Sequence, residues 1–495
     1  MKFNKTLLSL LLIMTLLMVA VPIVSAAPAQ QSGGQDYIVV ADDWLSKLAD
    51  KFLGDIFAYP AITYYTNQKN AEDPSYAKIT NSDLIEIGWK IYIPSAEEAQ
   101  AYFDRQVAKV GATGSGTIKI GALAPLSAPG SVTGGTAMKA AFEIAVEEIN
   151  AAGGVLGKPV ELVLVDTEGL PERGTAAMER LISQEKVVGV VGEYHSAVGL
   201  TAKEVAHKDH VPTVFAETWN DNITAVQYPE VFRVAPLSSE VASLDAKFIQ
   251  SLGVKNVVIM TENTGYGIPA AKDTTDRLAE LGIKATTFSA DIGTQDFSGI
   301  IERIKAANPE LILVLLTGET SYNFEQQAAE AGIGPQDLPM ICNQVADDAE
   351  AFWTNVPDGN LCFYRKVGLP PALYTDRTKA FVEKYKAKTG RATAESYAME
   401  AYDSLHIMAK AINEAGSTDP DAIISALENI TYDGALGTIT FPFGTHNPVP
   451  ADREAKWWHQ FPDFAAVFMQ YQEEGARTAE VVFPDNLKTA DPILP

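Results

Sequence analysis

The sequence predicts an α/β protein made of two doubly wound parallel-sheet lobes preceded by a small α+β module. Three observations carry this reading. From Thr117 onward, short apolar runs alternate with amphipathic helical segments, the pattern of parallel strands covered on both faces. That alternation fills most of a 495-residue chain, more than one core usually supports, which divides it into two lobes. Ahead of it, residues 36–96 read as strand, helix, helix, strand, a separate small unit.

Composition narrows the function. The chain is 47% hydrophobic and 20% charged, so it can bury large cores and is not a disordered polymer. Lys and Arg number 38 against 63 Asp and Glu, and the net charge of −25 opposes binding to phosphate backbones, so no nucleic-acid partner is expected. The two cysteines, Cys342 and Cys362, build no four-cysteine zinc site, and six histidines are few, so neither a metal nor a cofactor is expected. The cysteine pair is either a disulfide or two buried thiols on neighbouring strands.

Lys2 and Lys5 precede the run LLSLLLIMTLLMVAVPIV and the small residues around Val24-Ser25-Ala26 and Ala27-Pro28-Ala29, which reads residues 1–29 as a secretory signal peptide. An uncleaved anchor helix is the alternative. Cleavage exports the protein and takes its formal charge from −25 to −27. No cysteine lies at the cleavage region, so no lipoprotein is expected and the location is periplasm or cell wall.

In the small module, DYIVV and WKIYIPS are the strands, DDWLSKLADKFLG and AYPAITYYTNQ the helices. Trp44, Leu45, Leu48, Ala49 and Phe52 are spaced to line one helical face, with Asp42 or Asp43 as N-cap and Gly54 as terminator. Tyr37-Ile38-Val39, Asp43-Trp44-Leu45, Leu48-Ala49, Thr66-Asn67 and Gly88-Trp89-Lys90-Ile91-Tyr92-Ile93-Pro94 together resemble a LysM module. The resemblance implies binding of N-acetylglucosamine glycans such as peptidoglycan through the loops around Asp43, Trp44 and Asn67. Ala41-Asp42-Asp43-Trp44 departs from the family's usual Gly-Asp-Thr there, and a packed spacer is the alternative reading. Residues 97–116 end in GATGSG and read as a linker.

The first lobe opens with the strands TIKIGALAP, VELVLVDT, VVGVVGEY and VPTVFAE. Phe142, Ala145, Val146 and Ile149 mark the helix between the first two, and Gly153-Gly154 stop it. The second set is NVVIMTE, ATTFSAD, ELILVLLTG and LPMICN, with helices such as FSGIIERIKAAN between them. Trp457-Trp458-His459 reads as a lobe-packing segment ahead of an alternating AAVFMQYQ strand.

Ala124-Pro125-Leu126, the run from Ala145-Val146-Glu147-Glu148-Ile149-Asn150 through Gly153-Gly154-Val155-Leu156-Gly157, Asp166, Gly192 with Ser196, Phe232-Arg233, Gly265-Tyr266-Gly267, Asp296-Phe297-Ser298 and Ala331-Gly332-Ile333 resemble the branched-chain amino-acid-binding proteins. These are periplasmic-binding-protein-like type I receptors of ABC importers. The resemblance implies a three-segment hinge, matched here to 233–237, 362–370 and 437–446. Residues 117–235 and 367–438 would then form lobe one, and 238–362 and 445–495 lobe two. Closure on a ligand would be the mechanism, with ABC permease and ATPase subunits as partners.

Strand carboxyl ends and helix N-termini face such a cleft and suit an anion. Ser196, in Gly192-Glu193-Tyr194-His195-Ser196, either donates to a carboxylate or caps its own helix. After the next strand, Thr218 keeps a hydroxyl where the family holds its amino acid. Glu217 and Trp219 make a cradle for an amino group, or else a solvated charge and a packing ring. The resemblance makes Tyr266 a ring that covers the ligand. Glu319 and Gln344 follow strands of the second lobe, and Gln344 is neutral where relatives place an acid. With Tyr194, these complete the expected ligand contacts, and the reading requires space for a small solute between the loop tips. No Cys-His nucleophile pair, zinc-spaced His cluster or G-x-S-x-G elbow is present, so an enzyme is not expected. The alternatives are a sensory receptor without transport and a cell-wall-associated enzyme.

Overall fold

The structure is a computed structural model describing residues 34–41, 43–54, 58–80, 82, 85–102 and 116–495; the expected signal peptide and most of the expected linker lie outside them. In the small module, β1 (Gln35–Ile38) and β2 (Lys90–Ile93) pair antiparallel around α1 (Leu45–Leu53) and α2 (Tyr59–Glu72). Leu45, Leu48 and Ala49 close on Ile62, Ile79, Ile91 and Ile93 in a core of their own. Trp44 departs from the expected helical face: it precedes α1 and is 46% exposed.

The first lobe's runs fold into β3 (Ile118–Ala124), β4 (Val160–Asp166), β5 (Val190–Gly192), β6 (Thr213–Phe215) and β7 (Val231–Arg233), all parallel in the order β4-β3-β5-β6-β7. Between and after them run α3 (Val132–Ala151), α4 (Pro171–Arg180), α5 (Ser196–Asp209) and α6 (Asn222–Ala225). Ala141, Phe142, Ala145 and Ile149 of α3 point into the core, as their spacing dictates. Gly135 admits no side chain, because a Cβ there would lie 1.8 Å from the Pro125 carbonyl oxygen.

After α7 (Ser238–Ser251), the second sheet repeats the same winding. β8 (Asn256–Glu262), β9 (Lys284–Ala290), β10 (Leu311–Leu315), β11 (Met340–Cys342) and β12 (Phe363–Val367) are parallel in the order β9-β8-β10-β11-β12. The connecting helices are α8 (Gly267–Glu280), α9 (Ser298–Ala306), α10 (Gly318–Glu330) and α11 (Ala349–Asn355). Central β10, LILVL, is buried throughout, whereas edge strand β9 alternates. A disulfide joins Cys342 and Cys362, at the ends of neighbouring strands, with Cα atoms 6.1 Å apart.

The chain then returns to the first lobe with α12 (Asp376–Thr389), α13 (Ser396–Ala415), α14 (Pro420–Glu428) and the hairpin β13 (Thr431–Gly434) and β14 (Gly437–Thr440); α13 packs along α3 and over β5. It ends in the second sheet with β15 (Ala466–Gln470) and β16 (Glu480–Phe483), both antiparallel.

Two of the three crossings differ from the sequence expectation. Residues 363–367 are β12 of the second sheet, so the passage there begins only at Gly368. The third passage is not 437–446, which lies beside the first lobe, but the segment after Gln460. Up to that point Thr224 Oγ1 donates to Lys456 O at 2.6 Å, Trp458 Nε1 donates to Tyr228 O at 3.1 Å, and His459 stacks on Phe232. The crossings then run side by side: Phe461 N donates to Arg233 O, and Gly368 N to Ala465 O.

The two lobes are closed on each other. At the start of α3, His195 Nε2 accepts from Ser131 N at 2.9 Å, and Ser131 Oγ accepts from Gly134 N at 3.1 Å. The two N–H groups between, of Val132 and Thr133, donate at 3.0 and 2.8 Å to the carboxylate of Glu319 on α10, which also accepts the Thr133 hydroxyl. One lobe thus neutralises the positive helix end of the other.

Two outcomes follow from this packing. Arg365 and Asp245, both about 1% exposed, form a 2.7 Å ion pair inside the second lobe. Asp245→Ala strands that guanidinium and is expected to cost about 3–5 kcal/mol, read as a lower denaturation midpoint. Glu319→Ala removes three hydrogen bonds between the lobes; it is expected to lower the closed-to-open ratio of the unliganded protein at least about tenfold, seen as a larger radius of gyration in small-angle scattering.

Candidate functional site

The strand order reverses between β3 and β5 in one sheet and between β8 and β10 in the other, and crevices form at the carboxyl ends of such strands. β5 ends in Gly192, whose φ of +98° and 2.5 Å approach of a would-be Cβ to Leu123 O leave glycine as the residue that fits. The chain then turns through Glu193, itself at a φ of +70°, and enters α5 at Ser196. Glu193 is fully buried, its carboxylate accepting the His195 N–H at 2.8 Å; burial raises its pKa to about 7. Burial lowers the His195 pKa to about 3, so the ring is neutral and serves as a fixed acceptor for Ser131.

Ser196 does not cap α5: the N-cap is His195, without a side-chain cap bond. Its Oγ accepts from Asn220 N at 3.1 Å and fastens the loop after β6, while its own proton is free to be donated. That loop carries Glu217, Thr218, Trp219 and Asn220. Facing it, the loop after β8 presents Tyr266, the end of β10 presents Thr317, and the end of β11 presents Asn343 and Gln344. The contacts across the gap are polar or edge-on. Gln344 Nε2 donates to Glu217 Oε1, Asn220 Nδ2 donates to Gly265 O at 2.5 Å, and the Trp219 and Tyr266 rings meet edge to face at 6.1 Å.

Between the lobes lies a cavity of about 20 Å³, lined by Tyr194, His195, Ser196, Glu217, Trp219, Tyr266, Thr317, Asn343 and Gln344. It has room for about one water molecule, not for the small solute the sequence reading requires, so a larger guest enters only when the lobes part. Of the expected contacts, Ser196, Glu217, Trp219, Tyr194, Tyr266 and Gln344 are brought together here. Thr218 and Glu319 are not. Thr218 turns its methyl group against α5, where a Cβ on Gly199 would meet it at 2.7 Å, and Glu319 is spent on the start of α3.

Sequence reasoning passed over Thr317, Asn343 and two groups behind the wall. Glu400, on α13, is fully buried, and its carboxyl contacts that of Glu217, which is 3% exposed. Arg233 of β7 lies beyond, fully buried, hydrogen-bonded to Thr218 O, Asn220 O, Thr224 Oγ1 and Gln460 Oε1. The available signal for Glu400 was a pair of acids one turn apart, Glu400 and Asp403, within the otherwise uncharged helical run from Ser396 to Leu405.

The residues expected at a glycan separate in the same way. Asp43 accepts from Tyr37 OH and Val40 N, both at 2.9 Å, and holds its own loop. Asn67 spends its amide on Ile79, donating to the carbonyl and accepting the N–H, each at 2.8 Å. Trp44 is exposed, with Lys47 Nζ 4.7 Å from its ring centre.

Comparison with known proteins agrees with this architecture. The family model described as periplasmic binding protein matches residues 117–452. The Leu/Ile/Val-binding protein homolog 7 of Brucella abortus is 27% identical over 344 residues, covering 67% of this chain and 86% of that protein. The leucine-, isoleucine-, valine-, threonine-, and alanine-binding protein of Pseudomonas aeruginosa is 25% identical over 338 residues, with 66% and 86% covered. Among solved structures, a leucine binding protein from Thermotoga maritima superposes with a TM-score of 0.64 at 25% identity, over 75% of this chain and all of that one. A branched-chain amino acid transporter substrate binding protein from Streptococcus pneumoniae, in complex with isoleucine, gives 0.63 at 25% identity over 74% of this chain and 100% of that one. With two facing sheets, side-by-side crossings and a family match across both lobes, the chain belongs to the periplasmic binding protein family.

Proposed function

We propose that this is an exported receptor that captures a small amino-acid-like solute between its lobes and delivers it to an ABC permease and its ATPase subunits. Capture by closure is the whole of its task, with no bond made or broken. The observation that carries the reading is the polarity of the closed cleft. Gln344 Oε1 and Glu217 Oε2, both of residues lining the cavity, are buried and receive no N–H or O–H from the described residues. An unsatisfied buried polar group costs about 1–3 kcal/mol, so a guest offering N–H or O–H groups between parted lobes is favoured over empty closure. The relatives named for leucine, isoleucine, valine, threonine and alanine, and the isoleucine-bound structure, support an amino-acid-like solute.

The small module is assigned to cell-wall peptidoglycan. Ile38, Val40, Trp44 and Ile87 are exposed, and the backbone bonds of Val39 to Gly88 and Trp89 bring together the two segments that carry the three aliphatic residues; an exposed indole is suited to stacking on a sugar ring. Asn67 takes no part, because its amide is already engaged.

Two measurements test the reading. Amino acids, their amides and short organic acids, screened by thermal shift, should include a stabiliser, worth about 2.7 kcal/mol at a hundredfold excess over Kd; Tyr266→Ala, which also removes a buried ring and lowers the melting temperature of the free protein, should still fold and should weaken binding at least about tenfold. Silence across the screen, or unchanged affinity in the variant, counts against this cleft. For the module, purified peptidoglycan should retain the mature chain and release Trp44→Ala more readily. Equal retention removes the glycan role.

A further inference from the structure

The Glu217 and Glu400 carboxyls meet behind the cleft wall. Glu217 lines the cavity, while Glu400 reaches it from α13. Both oxygens of Glu400 and Oε2 of Glu217 receive no N–H or O–H from the described residues; the two carboxyls touch each other instead. Carboxylates accept and do not donate, so this contact is bonding only when one of the pair carries a proton. The surroundings set the charge. Arg233, whose four hydrogen bonds all go to neutral acceptors, is the cation that faces Glu400. One shared proton leaves the pair at a single negative charge, set against Arg233, which Asp221 also faces.

The cavity side of Glu217 is bounded by Tyr194, Trp219 and Tyr266, with Trp219 turned toward its carboxylate. Aromatic rings around a buried anion suit a small cation. We propose that the cleft selects solutes bearing an ammonium group, which takes the place of the proton shared by Glu217 and Glu400. This deepens the receptor reading and rests on it. In the exchange the carboxyl proton leaves to solvent as R–NH₃⁺ enters, so two carboxylates face Arg233 and the ammonium, and the net charge of the site does not change. The start of α3 offers the solute no carboxylate site, since Glu319 already occupies it.

Binding is then linked to pH. Burial first, and then the facing carboxyl, holds Glu400 well above the usual range; burial raises Glu217. The other groups facing the pair are Gln344 and Tyr266 from the second lobe, Tyr194 from the loop before α5, Arg233 from β7, and Asp403 one turn along α13. Asp403, raised to about 7 by burial, is fastened to the N–H groups of Ala435 and Leu436. While the free pair keeps its proton and the bound pair does not, affinity rises about tenfold per pH unit.

The test uses the mature chain and three solutes of like shape and different charge: n-butylammonium, 1-butanol and butyrate. Calorimetry between about pH 6 and 8, in buffers of different ionisation enthalpy, should find binding of the ammonium alone, with close to one proton released and a Kd falling with pH. Glu400→Gln should keep the fold, since an amide can donate to Glu217, yet lose the proton release and the pH slope. Comparable binding of butyrate or butanol, absence of proton release, or a slope surviving in Glu400→Gln overturns the proposal. If the amino-acid screen yields a ligand while n-butylammonium does not bind, the cation exchange fails and the receptor reading stands; silence in both overturns both.

Discussion

The buried guanidinium of Arg233 is the point on which the two-lobed arrangement turns. It sits at the end of β7, where the chain first leaves one lobe for the other, and grips the carbonyls of the Thr218–Asn220 loop on one side and Gln460 of the returning chain on the other. A charge so buried is tolerable only when its donors are filled. That requirement fixes three pieces of backbone distant in sequence: a wall of the cleft, the first crossing and the last. Burial lowers its pKa to about 10, which leaves it charged at neutral pH. The acidic pair beyond it is the electrostatic counterpart.

Cleft and hinge are therefore one polar network. Glu217 bonds Gln344 across the gap and touches Glu400 behind it, and Glu400 feels Arg233, which holds the crossings. Tyr266, over the same gap, lies near the buried Arg365 and Asp245 pair of the second lobe. Polar groups confined this way define one closed geometry, because each has few alternative partners. The loosely filled positions are those that face the cavity.

Much of the architecture was readable in the sequence because it follows from apolar periodicity. The run LILVL is a central strand on its face, and Phe142, Ala145 and Ile149 mark α3. Strand-end logic and the family resemblance together brought six of the eight expected ligand contacts to the cavity. One source of failure is charge in the interior. β12 reads FYRKV, whose Arg365 and Lys366 break the apolar run that marks a buried strand, so the crossing matched to 362–370 overlaps it. They are paired inside, with Asp245 and Asp347. Residues 445–460 follow no period, being held by particular bonds such as His459 to Glu428, so their lobe was not legible. Glu319 stands at the expected strand end, but the direction of its side chain depends on where the opposite lobe brings α3.

The carboxylate at the start of α3 has a consequence for the rate of capture. In the closed form an incoming solute meets a shut door, held by the protein's own anion at the helix end that a free acid would otherwise seek. Collision with the surface is then unproductive until the lobes part, Glu319 letting go together with the contacts of Gln344 and Asn220. As solute becomes plentiful, capture levels off at the frequency of that parting, so the tempo is set by an internal event rather than by diffusion.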